Sequence, residues 1–169
     1  LLTFADSSSD ISVNLAAGTT AGVGADTQVG FENVTTGSGN DTIVGSSEAN
    51  ELDGRAGNDT VSGAAGSDSL VGGFGDDSLS GGAGNDTLAG GSGLDLATFA
   101  DSSADLQVSL VTGVATGAGS DVLTGVENVT GGSGSDTLVG DANANALEGG
   151  AGSDTLTGYE GNDVIAGGA

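Results

Sequence analysis

The 169-residue chain contains no cysteine, proline, histidine, methionine or tryptophan. Without cysteine there is no disulfide framework and no thiolate metal site. Without histidine the usual general base and the usual nitrogen ligand are missing. The lack of proline removes slow cis/trans isomerisation from folding. One basic residue, Arg55, stands against 24 acidic ones, a formal net charge of −23 at pH 7. Such a field repels nucleic acid, anionic membrane surfaces and polyanionic polysaccharides, and it attracts cations. Hydrophobic residues make up 36% of the chain and aromatic ones 3%, too little for a thick globular core but suited to a narrow solenoid. No run approaches the roughly 18 apolar residues of a membrane span.

Glycine is plentiful, at 35 residues, and it is placed with a period. From Thr36 to Thr98 the chain reads TGSGNDTIV, GSSEANELD, GRAGNDTVS, GAAGSDSLV, GGFGDDSLS, GGAGNDTLA and GGSGLDLAT. Full blocks have glycine first or second, glycine fourth, aspartate sixth and an aliphatic residue eighth. A glycine-rich hexamer bends sharply because glycine reaches positive φ cheaply. The last three residues form a minimal strand in which only the eighth position points inward, held by Ile43, Leu52, Val61, Leu70, Leu79, Leu88 and Ala97. Two nonamers then make one turn of eighteen residues, with a loop on each side and parallel strands stacked as ladders; no single nonamer folds alone.

In such a coil Asp41, Asp59, Asp77 and Asp95 stack on one side, and Asn50, Asp68 and Asp86 on the other. Strands lie about 4.8 Å apart, so like charges are brought close and oppose winding. A divalent cation between successive loops reverses that term. Calcium fits the chemistry, since it takes six to eight hard oxygen ligands, at roughly 2.3–2.6 Å, from carboxylates and backbone carbonyls.

These blocks resemble the calcium-binding nonapeptide of the repeats-in-toxin (RTX) family, glycine-glycine-x-glycine-x-aspartate-x-aliphatic-x, which GGAGNDTLA from Gly81 matches throughout. The resemblance implies an all-β fold, a parallel β-roll or β-solenoid with calcium ions in the turns. It also implies a ligand set for each ion, shared between two loops on the same side. The earlier loop gives the carbonyls of its second and fourth residues and its aspartate; the loop eighteen residues later gives the carbonyls of its first and third residues and its aspartate. Carried over, Gly37, Gly39 and Asp41 face Gly54, Ala56 and Asp59, while Arg55, Gly57 and Asp59 face Gly72, Phe74 and Asp77. Gly73, Gly75 and Asp77 face Gly90, Ser92 and Asp95, and Ala64, Gly66 and Asp68 face Gly81, Ala83 and Asp86. In the later part of the chain Gly132, Gly134 and Asp136 face Gly149, Ala151 and Asp154. Asn50 with Asp68, and Asn145 with Asp163, are weaker pairs, because a neutral amide oxygen is a poorer calcium ligand. About five to seven calcium ions are expected, leaving the chain acidic but less self-repelling.

Residues 1–74 align with 96–169 without a gap, Phe4 falling on Phe99, so the chain holds two copies of one large unit. The expected division is a strand-rich opening over 1–35, a nonapeptide roll over 36–98, a second opening over 96–130 and a second roll over 131–169. In the openings Ile11, Val13 and Leu15, and again Leu106, Val108 and Leu110, alternate as in strands. Leu123, Val126 and Val129 are further inward candidates, and wider coils continuing the same solenoid are expected there rather than a flexible linker. Phe4 and Phe99 are expected to pack at unit junctions, Phe74 and Tyr159 to sit exposed in loops. The chain begins LLTFADSS and ends AGGA, both inside a repeat pattern, which predicts a piece of a longer protein.

Two function classes follow. The first is a calcium-dependent structural module of a secreted or cell-surface bacterial protein; the resemblance implies export by a one-step, type I-like route and folding outside the cell. The second is an adhesive or self-assembling surface array that binds itself or a cell-surface partner through its outer face. No enzyme is expected within these residues. The acidic pairs Asp76 with Asp77, and Glu127 near Asp121, lack the histidine, lysine and aromatic platforms that would accompany glycosidase carboxylates.

Overall fold

Short strands separated by glycine turns exclude helices, and the computed structural model, which describes residues 1–169, is built of strands alone. In chain order these are β1 (Leu2–Thr3), β2 (Ser12–Asn14), β3 (Thr19–Ala21), β4 (Asp26–Thr27), β5 (Asn33–Thr35), β6 (Thr42–Val44), β7 (Glu51–Ala56), β8 (Thr60–Ser62), β9 (Ser69–Phe74) and β10 (Ser78–Ser80). They continue as β11 (Thr87–Ser92), β12 (Leu96–Thr98), β13 (Gln107–Ser109), β14 (Val114–Thr116), β15 (Ser120–Thr124), β16 (Asn128–Thr130), β17 (Thr137–Val139), β18 (Ala146–Glu148), β19 (Thr155–Thr157) and β20 (Val164–Ala166). Consecutive nonamers alternate between two ten-stranded sheets, one ordered β1-β5-β7-β9-β11-β15-β14-β13-β17-β19 and the other β20-β18-β16-β12-β10-β8-β6-β2-β3-β4.

The nine-residue period sets the register. Ile43 pairs with Val61 and Val61 with Leu79 in one sheet, and Leu52 with Leu70 and Leu70 with Leu88 in the other, each in parallel and eighteen residues apart. All these side chains are fully buried, and with Ala97 they belong to a single core cluster of 19 residues. Each nonamer thus contributes one aliphatic side chain, worth about 1.5–3 kcal/mol when fully buried. The flanking seventh and ninth positions, such as Thr60 and Ser62, remain exposed or half-buried.

The opening segments form the expected strands, but where wider coils continuing the solenoid are expected the chain folds into hairpins. The β2–β3 and β3–β4 pairs are antiparallel, as are β13–β14 and β14–β15. Four residues separate β2 from β3, a hairpin length too short for a parallel crossover. Gly18 and its counterpart Gly113 sit at φ 66° and 64° to make the reversal. Parallel pairing resumes on either side, through β15 onto β11 and β13 onto β17. Ile11, Val13, Leu106, Val108, Leu123, Val126 and Val129 are buried as the alternation predicts, while Leu15 and Leu110 are only half-buried. Phe99 is buried and Phe4 partly so; Phe74 and Tyr159 are exposed.

The second copy of the large unit lies on the opposite sheets from the first. Leu2 and Thr3 of β1 correspond in sequence to Ala97 and Thr98 of β12, which lies in the other sheet; β2 and its counterpart β13 are exchanged in the same way.

Candidate metal centre

The sixth residue of each nonamer ends the glycine loop and starts the strand, which turns its side chain into the gap between stacked loops. Asp41, Asp59, Asp68, Asp77, Asp86, Asp95 and Asp136 are all buried to within a few per cent, as is Asp121. One carboxylate oxygen of each downstream residue is spent on the backbone. The N–H of Asp41 donates to Asp59 Oδ1 at 2.7 Å, that of Asp59 to Asp77 at 2.8 Å and that of Asp77 to Asp95 at 2.9 Å. On the other side the N–H of Asn50 donates to Asp68, that of Asp68 to Asp86, and in the second roll that of Asp136 donates to Asp154.

The other oxygen divides the loops into two kinds. Oδ2 of Asp59, Asp68, Asp77, Asp86, Asp95 and Asp154 is buried and accepts no hydrogen bond. These six lie in loops whose second and fourth residues have positive φ: Arg55 and Gly57, Ala64 and Gly66, Gly73 and Gly75, Gly82 and Gly84, Gly91 and Gly93, Gly150 and Gly152. The last loop shares that backbone at Tyr159 and Gly161, but its Asp163 is only half-buried and its Oδ2 is not among the buried orphans. The first two loops of each roll lack that backbone and satisfy their own side chain. Gly37 N–H donates to Asp41 Oδ2, Gly132 N–H to Asp136 Oδ2, Ser46 N–H to Asn50 Oδ1 and Asp141 N–H to Asn145 Oδ1. The hydroxyl of Thr36 also donates to the Gly54 carbonyl in the first such gap.

Asn50 and Asn145 have a further task that an aspartate could not perform. Their amide groups donate to the carbonyls of Glu32 and Glu127, each at 2.8 Å.

The orphaned oxygens do not stand alone. At Gly63 the place a Cβ would take is flanked by Asp68 Oδ2 and by the Gly81 carbonyl of the next loop, 2.7 Å from that point, so both oxygens approach from the gap between those loops. The carbonyls of Gly57, Gly66 and Gly75 accept no backbone hydrogen bond. No three acidic side chains converge anywhere, so a cation between these loops must draw most of its ligands from the main chain. Paired carboxylates with undonated carbonyls are the hard oxygen set that calcium takes.

Burial also makes these carboxylates resist ionisation. Asp59 is pushed up to about 7 by desolvation, with the charges of Asp77 and Asp41 adding to it and the Asp41 N–H opposing it. Asp68 and Asp95 rise to about 6, again chiefly through burial. Asp77, Asp86 and Asp121 shift upward for the same reason. A divalent cation in the gaps would remove this penalty.

The eighteen-residue rule misses two members of the columns. Beyond Asp86 the next acceptor is Asp121 Oδ1, at 3.0 Å from the Asp86 N–H; beyond Asp95 it is Glu127 Oε2, at 2.9 Å. The hairpin segment separates these partners by 35 and 32 residues. The visible signal was the isolated glycine and aspartate pattern around Gly117, Gly119 and Asp121.

No curated protein matches this chain. The family model of the RTX calcium-binding nonapeptide repeat matches it in four copies, over residues 35–70, 62–97, 124–156 and 139–169. Those stretches cover both rolls and leave out most of both openings. A nonapeptide period, an all-parallel ladder through each roll and buried aspartates facing undonated carbonyls all accord with that match, and the chain belongs to the RTX calcium-binding nonapeptide repeat family.

Proposed function

We propose that this chain is a structural module wound by calcium, in which the ions occupy the gaps whose upstream aspartate has an orphaned Oδ2. Three such gaps follow the eighteen-residue spacing. Arg55, Gly57 and Asp59 face Gly72, Phe74 and Asp77; Gly73, Gly75 and Asp77 face Gly90, Ser92 and Asp95; Ala64, Gly66 and Asp68 face Gly81, Ala83 and Asp86. The gaps between Asp41 and Asp59 and between Asp136 and Asp154 bind more weakly, because Gly37 and Gly132 already donate to the upstream carboxylate. The pairs that begin with Asn50 and Asn145 hold no calcium.

The observation that carries this reading is the coincidence of the orphaned Oδ2 atoms with positive φ at the second and fourth loop positions. Burying those carboxylates without a counter-ion is costly, and calcium supplies the counter-ion. In its absence the glycine-rich, acidic chain lacks the apolar area to order itself. Such a switch suits a protein exported unfolded from a bacterial cell by a one-step route and wound outside it, and we assign the chain to a secreted or cell-surface protein on that ground. We assign these 169 residues no catalytic role.

Circular dichroism during a calcium titration tests the reading, with magnesium as control and with a variant in which Asp68, Asp77 and Asp86 become alanine. A cooperative gain of β signal is expected with calcium alone and is expected to be lost in the variant. Full β structure in chelator, unchanged by calcium, would remove the metal from the mechanism.

A further inference from the structure

The loop that ends in Asp95 is the last of the first roll, and no nonapeptide loop follows it at the usual spacing. What meets it instead is the short turn Gly125–Glu127, brought there by β16 pairing with β12. Asp95 is 0% exposed, its Oδ1 accepts the Asp77 N–H, and its Oδ2 has no partner. The Gly125 carbonyl and Asp95 Oδ2 both crowd the place where Gly90 would carry a Cβ, the second at 2.7 Å from it. That is the arrangement at Gly63, where Asp68 Oδ2 and the Gly81 carbonyl meet. Gly91 and Gly93 keep the positive φ of the loops with orphaned carboxylates.

We propose that Asp95, Glu127 and the Gly125 carbonyl, with the carbonyls of Gly91 and Gly93, form a further calcium site that fastens the second half of the chain to the first. The proposal rests on the calcium reading above, but its ligands lie outside the nonapeptide spacing. The turn is compressed, since Gly125 and Glu127 are two residues apart where a full loop sets first and sixth positions five apart. A glutamate, one methylene longer than aspartate, makes up the reach. Its Oε2 accepts the Asp95 N–H, as the sixth-position aspartates do elsewhere.

The first unit holds an internal control. Glu32 is the counterpart of Glu127, and its carbonyl accepts the Asn50 amide as that of Glu127 accepts the Asn145 amide. Glu32 is exposed and no loop lies upstream of it. The two glutamates therefore share their downstream neighbour, but only Glu127, half-buried and accepting the Asp95 N–H, has an orphaned carboxylate opposite.

The test counts calcium by isothermal titration on the whole chain, comparing Glu127→Gln with Glu32→Gln. Glutamine keeps an oxygen to accept the Asp95 N–H and loses the charge. The expected result is one calcium fewer for Glu127→Gln and no change for Glu32→Gln, with faster amide exchange over β16 and β18 but not over β8 and β10. An unchanged ion count in Glu127→Gln overturns the site and reduces Glu127 to a hydrogen-bond acceptor, while leaving the other calcium gaps intact. A parent chain that binds no calcium overturns both readings. Should Glu127→Gln fail to fold, a second variant decides: Glu127→Asp keeps the charge but is one methylene too short to span the compressed turn, and it is expected to bind one calcium fewer than the parent chain. A full ion count in folded Glu127→Asp overturns the site as drawn.

Discussion

At the residue scale, the buried aspartates tie winding to both protons and calcium. In the folded chain Asp59 stands near 7 and Asp68 and Asp95 near 6, against 3.8 for the free side chain. A carboxylate raised in the folded state favours that state below its unfolded value, and the advantage is lost as pH rises through the folded value. In chelator, β signal is therefore expected to grow as pH falls from 7 towards 4, and a flat profile across that range would contradict the burial argument. With calcium present the sign reverses: protons compete for the same oxygens, so affinity is expected to weaken as pH drops from 7 to 5. Backbone strain gives a second expectation at this scale. Ala64 holds φ 76°, a left-handed conformation that costs a residue with a Cβ about 1–2 kcal/mol. Ala64→Gly relieves that strain and adds chain entropy to the unfolded state, for a net gain of about 0.5–1 kcal/mol in calcium. Thermal melting checks it, and a lower midpoint would refute it.

At the scale of loops and strands, the asparagines in the second loop of each roll are staples. Replacing Asn50 with the family's aspartate restores the repeat pattern but removes the amide donor to the Glu32 carbonyl and sets a carboxylate against it. Asn50→Asp is expected to cost about 1–3 kcal/mol and to bind no additional calcium, read by melting and titration together. A higher midpoint with one more ion would show that the asparagine is a lapsed ligand. This element also marks the limit of what the sequence reveals. The eighth-position ladder from Ile43 to Leu88 was legible because a period of nine with one inward residue admits a single register. The alternation at Ile11 and Val13 was equally plain, yet it is compatible with parallel or antiparallel neighbours, and the choice falls to a four-residue turn around Gly18. The pairing of Asp121 with Asp86 and of Glu127 with Asp95 was hidden because these partners lie across the hairpins, where no fixed spacing survives. The division of aspartates into satisfied and orphaned ones depends on loop φ, which differs between Gly39 and Gly57 although the residue type is the same.

At the scale of the whole molecule, the chain is a nearly one-dimensional stack in which each inward residue touches mainly the strands before and after it. Its two rolls are joined where the ladder is thinnest. Leu79 of β10 pairs with Ala97 of β12, which pairs in turn with Val129 of β16; Ala97 is fully buried yet fills little space. Leu79→Ala would set two alanines in register at that point and open a cavity at a cost of about 2–5 kcal/mol. Leu52→Ala makes the same chemical change inside the first roll, where Val34 and Leu70 flank it. If the stack is cooperative only through neighbouring contacts, the two variants differ in kind as well as in magnitude. Leu52→Ala is expected to lower the urea midpoint of a single transition, whereas Leu79→Ala is expected to split it, so that the second half unfolds at a urea concentration different from the first. The split should be widest at limiting calcium, before the gap between Asp95 and Glu127 fills, and narrow as calcium rises. A single transition in Leu79→Ala at every calcium concentration would mean that the hairpins and the parallel pairing of β15 onto β11 hold the halves together without help from the β10–β12 ladder.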